Sequence, residues 1–328
     1  MSIKSELLSI LEINRNKPIS GESIANQLNI SRAYVWKVIK QLKEEGYDIT
    51  ATNNKGYQLN NSTDVQSREG ILPFLNSENS NLPIQVFKSI GSTNMEAKRI
   101  ALDGGIHGTT IIAEEQTAGR GRRGKSFFSP KSSGIYLSMI LRLDLDLCDA
   151  VFITTATAVA VSNAIESVTG IKTSIKWVND LYYNHKKVCG ILTEAVTDFE
   201  SGSVDSIVVG IGINFLTDSS DFPDELQSIA GSLYQIKPSD ITRNQLCAEI
   251  INQMLLICRD LKTRTYLTQY KERSMVLHKE IWVIKENENH KAIALDIDSN
   301  GGLLVQYESG DTELLNSGEI SIRPLDIL

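Results

Sequence analysis

Between Gly119 and Gly124 the chain reads Gly-Arg-Gly-Arg-Arg-Gly, three glycines interleaved with three arginines. Glycines free a backbone to fold closely around a ligand. Guanidinium groups meet phosphates and carboxylates through paired, planar hydrogen bonds. The stretch Glu115 to Lys125 follows a strand that ends near Glu114. The expectation is a loop that grips a nucleotide and an acid. The alternative is an arginine-glycine segment that binds RNA without sequence preference. Such segments are longer and repeated, whereas this one is short and bounded by strands. It is no Walker loop, because no Gly-Lys-Ser/Thr follows four spacers. It is no dinucleotide fingerprint either, since its arginines are too bulky for that turn and no helical pattern follows.

Other candidates surround it. Ser92-Thr93-Asn94 follows the strand Ile84 to Phe87, and helical spacing resumes at Met95. Ser92 or Thr93 can be a plain N-cap, a ligand contact, or both, since a helix start offers donors to an anion. Lys176-Trp177-Val178-Asn179-Asp180 closes a strand. A carboxylate there can hold Mg²⁺ or a lysine, although Asn-Asp is also ordinary turn chemistry. Lys187 opens the apolar strand Val188 to Leu192 and points either to solvent or into a site. Gly210-Ile211-Gly212-Ile213-Asn214 places glycines where a ligand could approach a strand. The cysteines, Cys148, Cys189, Cys247 and Cys258, form no Cys-x-x-Cys pair and have no His cluster beside them. They read as reduced core thiols, and no metal-ligand set is expected.

These residues need elements to hold them. Strands are expected over Thr109–Glu114, Gly134–Leu141, Thr173–Trp177, Lys187–Glu194 and Ser206–Ile213. Tyr182-Tyr183 and Lys187 to Leu192 flank a short turn at Asn184-His185-Lys186, and such a hairpin favours a mixed or antiparallel sheet over a doubly wound one. Ala150 to Val168 and Thr242 to Tyr270 read as helices. From about residue 275 short strands alternate with turns at Ser299 to Gly302 and Ser309 to Asp311, the pattern of a small β-barrel.

The first 60 residues read as three helices and a hairpin. Val35, Val38, Ile39 and Leu42 make the core stripe of the third helix. Ser31 caps it, and its opposite face carries Ala33, Trp36, Lys37 and Lys40, with Arg32 at the entrance. Such a face suits phosphates and base edges in a major groove. Lys55 sits at the tip of the hairpin Asn53-Asn54-Lys55-Gly56, as in a wing. The pattern is that of a winged helix-turn-helix. A protein-interaction domain with a basic face is the bland alternative. Asn61 to Glu69 is polar and unpatterned, a linker signature. The expected division is a head at 1–62, a body at 70–272 and a C-terminal domain at 275–328.

Charge agrees with that division. The 328 residues carry a net charge of −7, which argues against a protein that coats nucleic acid. Residues 1 to 60 carry +2 and the remainder −9, so DNA contact falls to the head alone. No apolar run reaches bilayer length and the N-terminus lacks a signal-like core, so a cytoplasmic protein without membrane contact is expected.

Four motifs in order, Gly119 to Gly124, Lys176-Trp177-x-Asn179-Asp180, Lys187-x-x-Gly190-Ile-Leu and Gly210-Ile-Gly-Ile-Asn214, resemble those of biotin–protein ligases. With the head, the chain resembles over essentially its full length the members of that family that double as biotin-operon repressors. The resemblance implies an α+β fold: a winged helix-turn-helix, a mixed-sheet ligase domain and an SH3-like C-terminal barrel. It implies biotin and ATP as substrates, Mg²⁺, biotinyl-5′-adenylate as intermediate, and a lysine of a biotin carboxyl carrier domain, of acetyl-CoA or pyruvate carboxylase, as acceptor. It further implies a homodimer when the adenylate is bound, and a two-fold operator.

The resemblance also assigns positions. Ser92, Thr93, Asn94, Gln116, Arg120, Gly121, Arg122, Lys187 and Gly190 would bind biotin, with Lys187, Arg120 and Arg122 catalytic. Arg123, Phe127, Lys176, Asn179, Asp180, Asn214 and Arg323 would bind the nucleotide. Ser31, Arg32, Ala33, Trp36, Lys37, Lys40 and Lys55 would bind DNA. Two positions depart from the family pattern. Val178 replaces a proline, which should loosen its turn, and Phe127 replaces a tryptophan, which should weaken stacking on adenine. The rivals are a monofunctional ligase with a silent head, a non-catalytic biotin-sensing repressor, and a lipoate ligase, against which the arginine-rich loop and the head both speak.

Overall fold

The computed structural model describes residues 2–52, 55–143, 150–197, 204–285, 288–316 and 321–324, with backbone alone at 150–151, 285 and 321–324. The chain divides into two compact units, Met1–Asn81 with Lys237–Glu249, and Leu82–Ile236 with Ile250–Leu328.

In the first unit, α1 (Ile3–Ile13), α2 (Gly21–Leu28) and α3 (Arg32–Glu44) precede a hairpin of β1 (Ile49–Thr52) and β2 (Gly56–Leu59). Each helix starts where a serine can cap it. The Ser2, Ser20 and Ser31 side chains accept from the amides of Ser5, Ser23 and Tyr34. Asn29 ends α2 in the left-handed conformation and turns the chain into α3. The expected stripe is the core: Val35, Val38, Ile39 and Leu42 are buried with Leu7, Leu11, Ile24 and Leu59. Burying such a side chain is worth about 1.5–3 kcal/mol, so Val38→Asp would break the head. The hairpin tip residues Asn53 and Asn54 lie outside the described residues.

The segment expected to be a linker is packed. Thr63, Gln66 and Ser67 are buried, and α4 (Arg68–Ile71) follows directly. Polar composition misleads here because a buried arginine satisfies the polar groups. Arg243, at the start of α8 (Arg243–Arg259), pairs with Asp64 at 2.9 Å and donates to the Asp64 carbonyl at 2.6 Å. Its neighbour Asn244 binds Ser67 N and Val65 O.

The second unit is built on a seven-stranded mixed sheet. Its order is β3 (Ile84–Phe87), β4 (Thr110–Ala113), β5 (Gly134–Leu141), β9 (Val204–Asn214), β8 (Lys186–Thr197), β7 (Asp180–Tyr183), β6 (Ser174–Lys176). Only β3 and β4 are parallel, so the expected mixed sheet is observed. All eight residues of β5 are buried, which requires cover on both faces and explains a run that is apolar except at Ser138 and the Tyr136 hydroxyl. Helix α5 (Thr93–Leu102) packs on β4, β5 and β9, and α6 (Ala150–Thr169) on β8. The β7–β8 turn needs two left-handed residues, and Asn184 and His185 supply them at φ +48° and +61°.

The long helix expected over Thr242 to Tyr270 is two. After α7 (Asp224–Gln227), α8 ends at Arg259, and α9 (Tyr266–Glu272) starts after a break in which Arg264 has φ +59°. Apolar spacing continues across the break, which is why periodicity alone did not locate it.

The C-terminal strands β10 (Glu280–Lys285), β11 (Glu288–Ile297), β12 (Leu303–Tyr307), β13 (Thr312–Leu315) and β14 (Ser321–Pro324) form one antiparallel sheet in the order β13-β12-β11-β10-β14. This is consistent with an SH3-like domain. Among the described residues β13 and β14 are not paired, so the expected barrel is an open sheet there.

Candidate functional site

Lys187 Nζ lies 2.7 Å from Asp180 Oδ1, between adjacent antiparallel strands. Leu181 pairs with Cys189 but Tyr182 pairs with Lys187, so Val188 is an extra residue on β8. In unbroken register Lys187 would face away from Asp180, since a one-residue shift moves a side chain to the other face. The bulge turns Lys187 onto the face that Asp180 shares with Tyr182. The lysine is therefore held in the site, not solvated at a strand end.

The glycine-rich loop is a narrow hairpin. Arg120 bridges Ser126, Gly121 N donates to Lys125 O at 2.7 Å, and Phe127 N donates to Gly119 O at 3.0 Å. A Cβ at Gly119 would sit 2.5 Å from Phe127 O, so only glycine fits. Arg122 Nη1 donates to Asn179 Oδ1 at 2.9 Å, tying the loop to the residue beside Asp180. Burial pushes the Arg122 guanidinium pKa below its ordinary value, Asp180 opposes that shift, and Arg123 adds to it. Arg120 and Arg123 are exposed.

Asn179 is held from the strand side. Its Nδ2 donates to Ile191 O at 2.9 Å and its carbonyl accepts Ile191 N at 3.0 Å. The preceding Val178 was expected to loosen this turn. It is buried, and its carbonyl accepts the buried Tyr270 hydroxyl at 3.0 Å, while Trp177 Nε1 donates to Gly301 O at 2.8 Å. The Trp177–Val178 peptide is cis. Lys176 Nζ lies 5.7 Å from the Tyr182 ring centroid.

Gly190 and Gly212, paired across β8 and β9, leave a shallow cradle in the sheet. Phe127 lies on it: a Cβ at Gly212 would fall 2.5 Å from its ring, and one at Gly190 would lie 3.3 Å from both the ring and Lys187 Nζ. Loop, lysine and cradle therefore meet at one place. Asn214 is buried at the end of β9, where its Nδ2 donates to Gly231 O at 2.9 Å. Cys189 is buried and burial raises its thiol pKa strongly, so it is no nucleophile.

Behind the loop lies a second cluster. Ser92 occupies the N-cap position of α5 without a side-chain cap bond. Gln116 caps instead: its Oε1 accepts Thr93 N at 2.9 Å and lies 3.0 Å from Thr93 Oγ1, and its Nε2 donates to Ser129 Oγ at 3.0 Å. Ser92, Thr93 and Asn94 are all buried. Asn94 is bonded within the protein on both ends of its amide, to Ser138 Oγ at 2.6 Å and Glu194 Oε2 at 2.8 Å. Sequence reasoning missed Ser129, Ser138 and Glu194. The signal for Ser138 was available, a lone hydroxyl in an otherwise apolar strand.

In the head, Ser31 caps α3, and Arg32, Ala33, Trp36, Lys37 and Lys40 are exposed on its outer face. Trp36 is 59% exposed, unusual for a side chain of that size. Lys40 Nζ lies 5.9 Å from its ring centroid. Lys55 is exposed beside the hairpin tip. Arg323 pairs with Trp282 in the C-terminal sheet, and its side chain lies outside the described residues. Among the described residues no three His, Cys, Asp or Glu gather as a metal site, and no helix is long and apolar enough to cross a membrane.

Fold and site define a class, a helix-turn-helix head carried with a ligase body of the biotin and lipoate type. Residues 4–58 match a helix-turn-helix domain, 86–214 the biotin/lipoate A/B protein ligase family and 277–323 the biotin protein ligase C-terminal domain. The bifunctional ligase/repressor BirA of Bacillus spizizenii is 35% identical over 94% of this chain and 95% of its own length. The protein of the same name from Escherichia coli K12 is 29% identical over 93% and 92%. Biotin protein ligase from Aquifex aeolicus, solved with biotin and ATP, aligns with a TM-score of 0.62 at 27% identity, covering 74% of this chain and 99% of that one. The chain belongs to the bifunctional biotin ligase/repressor family.

Proposed function

We propose that this chain is a cytoplasmic, ATP-dependent biotin–protein ligase that also represses transcription, with head, ligase and C-terminal domain divided at 1–62, 70–272 and 275–328. The observation that carries the catalytic reading is the Lys187–Asp180 ion pair at 2.7 Å beside the loop arginines. A carboxylate is a weak nucleophile and repels the phosphates it must approach. Lys187, oriented by Asp180, sits between biotin carboxylate and α-phosphate and stabilises both. Arg120 and Arg122 close on the same charges once the loop folds down.

One carboxylate oxygen attacks the α-phosphorus, the bond to the bridging oxygen breaks, and pyrophosphate leaves. The uncharged ε-amine of a carrier-domain lysine then attacks the acyl carbon. AMP leaves with the bonding pair, and the amine proton passes to solvent. Between these steps the loop keeps water from the adenylate. Mg²⁺ carried on the triphosphate supplies further charge neutralisation. A nucleotide-borne ion needs few protein ligands, which suits a site whose nearby carboxylate, Asp180, already holds Lys187. Phe127 and the nucleotide share the glycine cradle, so the ring shifts or stacks when ATP enters.

The exposed face of α3 meets a two-fold operator, and the adenylate-loaded protein binds as a homodimer. The first test is biotin-stimulated ATP–pyrophosphate exchange, followed by label transfer to a carrier domain. Absence of exchange overturns the ligase reading. Operator binding that is the same with and without biotin plus ATP overturns the repressor reading.

A further inference from the structure

The chemistry of the loop does not use Glu194, yet this carboxylate is half-buried on β8 and divides its two oxygens between two donors on α5. Oε1 takes Lys98 Nζ at 2.5 Å and Oε2 takes Asn94 Nδ2 at 2.8 Å. An ionised carboxylate only accepts, so together with the Leu192 carbonyl, which accepts from the same nitrogen at 3.3 Å, it fixes which end of the Asn94 amide faces it. The carbonyl end, Oδ1, must then face Ser138, and it does so at 2.6 Å. Asn94 Oδ1 cannot donate, so this contact takes the single Ser138 proton. Ser138 Oγ also lies 2.7 Å from Thr93 Oγ1. Thr93 Oγ1 in turn donates to Gln116 Oε1 at 3.0 Å, an amide oxygen that also accepts Thr93 N and so can only accept.

Glu194, Asn94, Ser138 and Thr93 therefore form one contiguous polar chain that ends on Gln116 at the α5 start. Asn94 also needs the glycine beside it. A Cβ at Gly210 would sit 2.1 Å from Asn94 Oδ1, so the side chain lies flat against bare backbone of β9. Burial raises the Glu194 pKa, but the bonds from Lys98 and Asn94 and the charges of Lys98 and Arg120 outweigh it and keep the carboxyl ionised.

We propose that Glu194 is a positioning residue for the acid-substrate pocket, holding the Asn94 amide and, through it, the Ser138 and Thr93 hydroxyls in place for the ligand. The inference rests on the reading of this unit as a biotin ligase. It concerns a residue that touches no substrate.

The test uses the full-length protein, with biotin and ATP titrated separately in the pyrophosphate-exchange assay. Glu194→Gln keeps the shape but offers a donor and an acceptor, so the charge-assisted hold on Asn94 Nδ2 is lost and only the longer bond to the Leu192 carbonyl still favours that orientation. Expected is a rise in the biotin KM of about tenfold or more, the scale of one charge-assisted hydrogen bond, with the ATP KM unchanged. Asn94→Asp alone sets two carboxylates against each other and raises the biotin KM as well. In the double variant N94D/E194Q the amide introduced on β8 donates to the carboxylate introduced on α5. The other oxygen of that carboxylate again accepts from Ser138, and the biotin KM returns towards wild type.

An unchanged biotin KM in E194Q overturns the inference, as does failure of the double variant to recover while it melts like wild type. If E194Q lowers Tm and scales down every kinetic constant alike, Glu194 is merely structural and the inference fails. Failure of the wild type to respond to biotin at all would instead overturn the ligase reading.

Discussion

Lys187 and Asp180 face each other because Val188 is inserted between the paired residues of β8, so that Lys187, and not Val188, stands opposite Tyr182. A bulge of one residue decides whether the lysine points into the site.

Removing the orienting partner should therefore cost activity without removing the cation. Asp180→Asn is expected to lower biotin-dependent pyrophosphate exchange by about 10- to 100-fold, the scale of a small misplacement of a reacting group. Lys187→Ala should lower it by about 100-fold or more, since a preorganised charge at the α-phosphate is lost. Equal exchange rates in D180N and wild type would show that the ion pair has no catalytic consequence.

Arg243 is 2% exposed and its partner Asp64 11% as side chains, so their ion pair is desolvated. Arg243→Ala leaves the Asp64 carboxylate without its cation and should destabilise the protein by about 3–5 kcal/mol. Arg243→Met with Asp64→Asn should cost less than Arg243→Met alone, because no uncompensated charge remains. Urea denaturation of the three variants measures both numbers.

How much of this was legible beforehand varied with the kind of signal. The core stripe of α3 was read correctly because burial on one face imposes a periodicity, and the run Gly134 to Leu141 because burial on both faces leaves a near-continuous apolar stretch. The grouping of Lys187, Asp180 and the arginine loop came from ordered motifs. The bulge at Val188 was not legible, since nothing local distinguishes an extra residue from a paired one. The packed segment after the head was misread because its partners, Arg243 and Asn244, lie some 180 residues away in sequence. Glu194 was passed over for the same reason. A glutamate in a half-buried strand gains meaning only when α5 brings Asn94 and Lys98 against it.

Lys37 is exposed on the outer face of α3, next to the exposed Trp36. Lys37→Ala should weaken operator binding across sequences and reduce the slope of log affinity against log salt by about one. Pyrophosphate exchange should not change, because the head takes no part in adenylation. Titrations at several salt concentrations measure the slope, and an unaltered slope would remove Lys37 from the phosphate contacts.

Glu12 gives the head a pH dependence opposite to that of most acids. It is 4% exposed, and burial raises its carboxyl pKa above the reference 4.5 even though the Arg15 hydrogen bond and charge pull the other way. The folded head thus binds this proton more tightly than the unfolded chain does. Its contribution to stability is complete below the unfolded pKa and is lost as pH rises through the higher folded one. Glu194, Glu96 and Glu166 are all shifted down, so their contributions run the other way and fade on acidification. The isolated signal is therefore a difference. Between pH 7 and the mildly acid range just above 4.5, wild type should gain stability relative to Glu12→Gln, whose amide does not titrate. Hydrogen exchange at the α1 amides, corrected for the intrinsic pH dependence of exchange, reports that difference. Parallel pH profiles for the two proteins would mean that Arg15, which also binds Thr63 O at 3.0 Å, holds Glu12 ionised in the fold.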